Sequence, residues 1–225
     1  MASIYQQVLG NDFQKLHPRI QQRFGFNSKD RVASIGYGVM ERIWYSKWAL
    51  LPLYLGTLRN IMFPQGGEQV PFTIGNYAYV DSFGRETVTW SRKFKFPRAI
   101  RCFDATMIYS QARDRIVDYL GSKQHLAVDL QISAQENGGI KIRSGEQRFY
   151  EGGIKFKFPS LLTGIADVCE WYDDEESTYK ISVEVNNPIL GTIFRYSGRF
   201  QARFEEMDDV AIPLDVKPLR EERRE

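Results

Sequence analysis

Glu86-Thr87-Val88-Thr89-Trp90-Ser91-Arg92-Lys93-Phe94-Lys95-Phe96 alternates without a break. Thr87, Thr89, Ser91, Lys93 and Lys95 interleave with Val88, Trp90, Arg92, Phe94 and Phe96, the period-two signature of a strand with one buried face. The signal recurs in Phe103/Ala105/Met107/Tyr109, Leu126/Val128/Leu130/Ile132, Ile154/Phe156/Phe158, Tyr179/Ile181/Val183/Val185 and Phe200/Ala202/Phe204. Compact turn signals separate the runs, among them Ser82-Phe83-Gly84-Arg85, Glu136-Asn137-Gly138-Gly139 and Asp173-Asp174-Glu175-Glu176. Alternating runs joined by such turns make successive hairpins. The alternation rule gives about ten strands between Val70 and Glu206. That many antiparallel strands curl or split into layers, which also reduces exposed edges. The predicted fold is mainly β: a strongly curved antiparallel sheet or barrel-like meander with N-terminal helices covering it.

Upstream, residues 3–25 read as two short helices. Ser3 suits a cap and Gly10 a stop, while Leu16, Ile20 and Phe24 form the apolar stripe of the second helix. Val32 to Trp44 is extended but irregular, and Gly36 and Gly38 suggest a bulge or a close backbone contact. Residues 48–62 return to a helical period through Leu51, Tyr54, Leu55, Leu58, Ile61 and Met62. That stripe is expected to pack on the sheet, with docking on a membrane or partner as the alternative. The expected organisation is a single domain, 1–225: a helical cover at 1–65, an antiparallel β-domain at 66–210, and a polar, frayed tail at 211–225.

Composition narrows the function classes. With 43% hydrophobic residues the chain can bury a full core, and 30 basic against 28 acidic residues leave no excess for a nucleic-acid footprint. Trp48 to Phe63, the longest apolar stretch, is broken by Pro52, Gly56 and Arg59, so no transmembrane segment is expected. The N-terminus has no signal-peptide pattern. Cys102 and Cys169 lack metal-ligand spacing and are expected as buried thiols in a cytoplasmic protein. No phosphate loop, nucleophile elbow or histidine metal motif occurs, so no cofactor is expected. Oligomeric state leaves no trace in the sequence.

Gly38-Val39-Met40, Ile43-Trp44, Phe63-Pro64, Val70-Pro71-Phe72, Asn76-Tyr77-Ala78-Tyr79, Ser82 to Thr87 and Ser144-Gly145-Glu146-Gln147-Arg148-Phe149 occur in that order. In these the chain resembles the bacterial domain-of-unknown-function family numbered 4166, over roughly Ile4 to Phe204. The resemblance implies a bacterial, intracellular setting; such domains occur alone and behind NAD(P)-binding, saccharopine-dehydrogenase-like segments, which makes an NAD(P)-binding protein one candidate partner. It brings no catalytic residues.

The informative residues are polar groups in phase with apolar ones. Arg92 follows Trp90, Glu146 and Arg148 continue the phase of Ile140 and Ile142, and Glu170 follows Val168. A charge buried alone costs several kcal/mol, so each must pair, reach solvent or face a wet cavity. Arg92 is expected to be buried against an acidic partner. Trp90, Arg92, His125, Glu146, Arg148 and Glu170 are therefore the candidate ligand-binding residues, with an Arg fork anchoring an anionic headgroup. The alternative for Glu146 and Arg148 is a bulge at Gly145 that turns both outward. Three functions follow: binding a small apolar or amphipathic ligand in a β-domain cavity, an enzyme using His125 and Glu146 as acid–base groups, or an interaction module docking through a strand edge or the 48–62 helix.

Overall fold

The computed structural model of the chain describes residues 2–207 and 212–225. Its strands are β1 (Val32–Tyr45), β2 (Gly67–Val80), β3 (Glu86–Phe96), β4 (Ala99–Ser110), β5 (Arg115–Leu120), β6 (Leu126–Ala134), β7 (Ile140–Glu151), β8 (Ile154–Lys157), β9 (Ile165–Asp173), β10 (Thr178–Asn187) and β11 (Gly191–Glu206). All pairings are antiparallel, and ten strands form a closed barrel. Strand β8 lies outside the ring as a short hairpin on the end of β7, while β9 pairs with β7 lower down. Going round the ring, neighbours follow chain order, and β1 closes the barrel on β11 from Val32↔Glu206 to Tyr45↔Phe194. The segment 1–65, expected as a helical cover with an extended stretch at Val32 to Trp44, supplies the closing strand through that stretch.

Glycine makes that closure fit. A methyl on Gly38 would fall 2.0 Å from the Arg199 carbonyl oxygen, and one on Gly36 would fall 2.7 Å from side-chain carbons of Ile74 and Phe200. The irregular pattern of 32–44 records this close approach of backbones.

A ten-strand ring leaves more interior than an eight-strand one, so its ends need plugs. Helices α1 (Ile4–Leu9) and α2 (Pro18–Phe24) close one end, burying Ile4, Tyr5, Leu9, Ile20 and Phe24. Ser3 and Gln6 form the capping box of α1, and Gly10 stops it at a positive φ of 53°. At the other end Phe63 sits in a cluster of rings, 5.0 Å from Phe94 and 5.2 Å from Phe194. Helix α3 (Leu50–Thr57) precedes it and buries only Leu53. The helix ends before Ile61 and Met62, and of the predicted stripe Leu51, Tyr54, Leu55 and Leu58 face outward while those two turn in over the barrel. Residues 61–63 already occupy this end of the barrel, so the helix has no apolar groove to enter.

The outer wall is polar: Lys141 and Arg143 pair with Asp167, and Lys180 with Asp173. A membrane-spanning barrel would carry an apolar outer band there. No helix among the described residues is long and apolar enough to cross a membrane. One outer patch, Ile108, Val117, Tyr119, Ala127 and Tyr150, is apolar. The C-terminal residues cover it: Tyr119 donates to the Arg224 carbonyl at 3.0 Å, Tyr150 to that of Glu225 at 2.9 Å, and the Glu222 amide to Gln124 Oε1 at 2.6 Å. The tail expected to fray is held, because this patch needs a cover. Residues 208–211, where the expected β-domain ends and the tail begins, lie outside the described residues. Cys102 and Cys169 are free and half-buried rather than fully buried.

Candidate ligand cavity

The inward faces of β3 to β7 and β9 to β10 are not fully packed. A cavity of about 110 Å³ lies between them, bounded above by Ile61 and Met62. Trp90, Phe103, Met107, Val128, Ile142 and Val183 make its wall apolar. Four polar side chains interrupt that wall: Arg92, Asp118, Ser144 and Gln147. Two of these are spoken for, since Ser144 Oγ accepts the Ala166 amide at 2.7 Å and Gln147 Nε2 donates to the Gly164 carbonyl at 2.7 Å.

Arg92 is 3% exposed. Its Nε donates to the Phe103 carbonyl at 2.9 Å and its Nη1 to the Tyr196 hydroxyl at 3.3 Å. The guanidinium carbon sits 3.8 Å from the Phe103 ring centre and 5.5 Å from that of Trp90. The acidic partner expected for it is not there: among the described residues no carboxylate lies within the 4.0 Å reach of an ion pair. Ring faces and neutral oxygens hold the cation instead, which a desolvated Arg tolerates better than a Lys does.

Asp118 is the group that sequence reasoning did not place in the site. It sits on β5 opposite Met107 of β4 and Val128 of β6, inside the barrel. Burial pushes its carboxyl up to about 7, with the charge of Arg92 pulling the other way. Its Oδ1 makes no hydrogen bond to the protein. The available signal was its phase with Ile116 and Leu120. Val117 and Tyr119 are equally apolar, because the tail covers that face, so alternation could not say which face of β5 is inside.

The other candidates divide. Trp90 and Arg92 share the cavity. Glu170 points inward but lies at the end closed by α2, where its Oε1 is 2.5 Å from Arg23 Nε. Arg23 also donates to Ser34 Oγ at 2.6 Å and to Asn76 Oδ1 at 3.3 Å. Burial pushes the Glu170 carboxyl up while Arg23 opposes it. Arg23 was legible in principle, since Ile20, Arg23 and Phe24 share one helical face.

Glu146 and Arg148 do not enter the cavity. Residues 145 and 146 both stand opposite Asp129, a bulge between Val128↔Gln147 and Leu130↔Ser144 that reverses the phase of β7. Outside, Arg148 meets Asp129 at 2.6 Å and Glu146 at 3.0 Å, and Arg113 reaches both acids. Lys157, and then Arg148, hold the Glu146 carboxyl down at about 2 against partial burial. His125 lies at the rim, its Nδ1 2.5 Å from Glu151 Oε2 and 3.0 Å from Arg220 Nη1, its ring stacked on Phe149. His125 and Glu146 have separate partners in separate places, so they form no acid–base pair.

The chain is thus an up-and-down antiparallel barrel with a small polar-tipped interior cavity and, among the described residues, no cluster able to hold a metal. It belongs to the family described as domain of unknown function (DUF4166), whose pattern matches residues 16–200. It is similar to the uncharacterized protein YndH of Bacillus subtilis (strain 168), 34% identical over 207 residues, which are 92% of this chain and 100% of the relative. No solved structure matches it.

Proposed function

We propose that the barrel binds a small ligand, apolar in its body and carrying one hydrogen-bonding or anionic group. The observation that supports this is the pairing of an apolar cavity with Arg92 and Asp118, two ionisable groups on its wall that do not satisfy each other directly. An apolar cavity of about 150 Å³ takes up benzene, so one of this size suits a single ring or a short alkyl chain. Longer ligands require Ile61 and Met62 to move. A carboxylate would meet the spare donors of Arg92, and Asp118 in its protonated form would donate to the same oxygens. Ligand pockets of drug size run to about 300 Å³ or more, so a dinucleotide does not fit here. An NAD(P)-binding protein, if one acts with this chain, does so as a separate partner. The two unpaired cysteines support a reducing, cytoplasmic compartment.

An enzymatic version of this reading centres on Asp118, because a buried carboxyl ionising near neutrality lines the cavity, whereas His125 and Glu146 lie outside it. Binding is the simpler function. Titration with straight-chain carboxylic acids of increasing length, followed by tryptophan emission, tests it. Saturable quenching is expected in the wild type and is lost as the reporter in Trp90→Phe. Arg92→Gln should weaken affinity about 10- to 100-fold, the range for losing a hydrogen bond to a charged group. Unchanged affinity in Arg92→Gln, or no saturation with any acid, would count against the reading.

A further inference from the structure

In an antiparallel meander the connections alternate between the two ends of the barrel, and here the ends differ in chemistry. The end carrying the connections 25–31, 81–85, 111–114, 135–139 and 174–177 holds seven acidic residues in them against four basic ones. The opposite end carries 46–66, 97–98, 121–125, 152–153, 158–164 and 188–190, and these contain no acidic residue at all. They hold Lys47, Arg59, Arg98 and Lys123, with Lys95 and Lys155 on the adjoining strand ends. Among the described residues, Lys47, Arg59, Arg98 and Lys155 have no carboxylate at ion-pair distance. The adjoining strand ends carry two acids: Glu151 is engaged by His125 and Arg220, and Glu68 is exposed at the start of β2.

Large apolar side chains stand out from the same end. Trp48 is 85% exposed, Leu51 and Leu58 are each 69% exposed, and Leu162 and Ile189 are 70% and 65% exposed. Hydrogen bonds tie these segments to one another: Ser46 to Ile193, Asn187 to Leu161, and Ser122 to Arg59. Apolar tips on several separate loops, set among unpaired bases, are an unusual surface for a protein with a polar outer wall.

We propose that this end of the barrel docks on the surface of an anionic lipid bilayer. Trp48, Leu51, Leu58, Leu162 and Ile189 enter the interfacial layer, and Lys47, Arg59, Arg98 and Lys155 face the lipid phosphates and carboxylates. The charge complementarity selects this occupant: connections that carry bases and no acid match a uniformly anionic surface, and dispersed tips need no shape-matched protein partner. Trp48, just before α3, and Tyr54 within it suit the headgroup level, where an aromatic body meets a wet edge. The inference does not rest on the ligand reading, because docking needs only the loop surface.

Co-sedimentation of the full chain with phosphatidylcholine vesicles, with and without phosphatidylserine, tests it. Binding is expected to the phosphatidylserine vesicles, to weaken as salt is raised, and to fall to a small fraction on phosphatidylcholine alone. At about fivefold per base, the triple variant Lys47→Gln/Arg59→Gln/Arg98→Gln should lower the partition coefficient on the order of 100-fold. Trp48→Ser with Leu51→Ser should abolish it, and these exposed changes should leave the thermal midpoint in place. Equal binding to both vesicle types, or none by the folded wild type, would overturn the proposal. So would a dimer broken by the Trp48/Leu51 pair without vesicle binding, which assigns the surface to a second copy.

Discussion

Asp118 and Arg92 show how far a single residue can be read. That Arg92 is buried followed from its phase with Trp90 and Phe94. That its neighbours are the Phe103 ring and the Tyr196 hydroxyl did not, because cross-barrel proximity leaves no mark in a local pattern. Asp118 carries a consequence for pH. The unfolded carboxyl ionises near its ordinary value of 3.8, whereas burial raises the native one to about 7. Between those values the native state holds a proton that the unfolded state has released, so stability falls as pH rises through this window and levels off above it. The slope reaches at most about 1.4 kcal/mol per pH unit. Asp118→Asn is expected to flatten the denaturation midpoint between about pH 4 and 7 relative to wild type. Parallel profiles for the two proteins would show that Asp118 ionises normally in the barrel.

Among the elements, α1 and α2 were legible from caps and stripe, and β3 from unbroken alternation. Elements were misread where a second constraint overrode the local one. The bulge at Gly145, the alternative weighed for Glu146 and Arg148 in the sequence, turned both out of the barrel. Helix α3 has a clear apolar period yet lies on the surface, because periodicity reports what a helix could bury and not whether a groove is open to it. Helix α2 is fastened through Arg23, whose guanidinium joins Glu170, Ser34 and Asn76 beneath it. Arg23→Ala should cost about 3–5 kcal/mol by leaving the buried Glu170 carboxylate unpaired. The double replacement Arg23→Met/Glu170→Met should recover much of that loss in denaturant unfolding. Equal destabilisation by the single and double variants would mean that the pair does not act as one unit.

For the whole molecule, curvature and strand number were legible from composition and turns, since a long run of hairpins must close or split. Closure itself was not. It joins β1 to β11 across most of the chain, and the glycines that permit the contact erase the alternation that would have advertised the strand. The cavity was foreseen from polar residues on apolar faces, but those residues proved to serve three purposes. Glu170 fastens a helix, Glu146 and Arg148 knit the outer wall, and only Arg92, with Asp118, faces open space beside Trp90. Methyl-resolved nuclear magnetic resonance of the full chain during titration with a short alkyl carboxylate tests this assignment most directly. The expected result is a saturating shift of the Met62, Met107, Val128, Ile142 and Val183 methyls, lost in Arg92→Gln. Shifts confined to exposed leucines such as Leu51 and Leu162, or no saturable shift at any methyl, would contradict a ligand-binding interior.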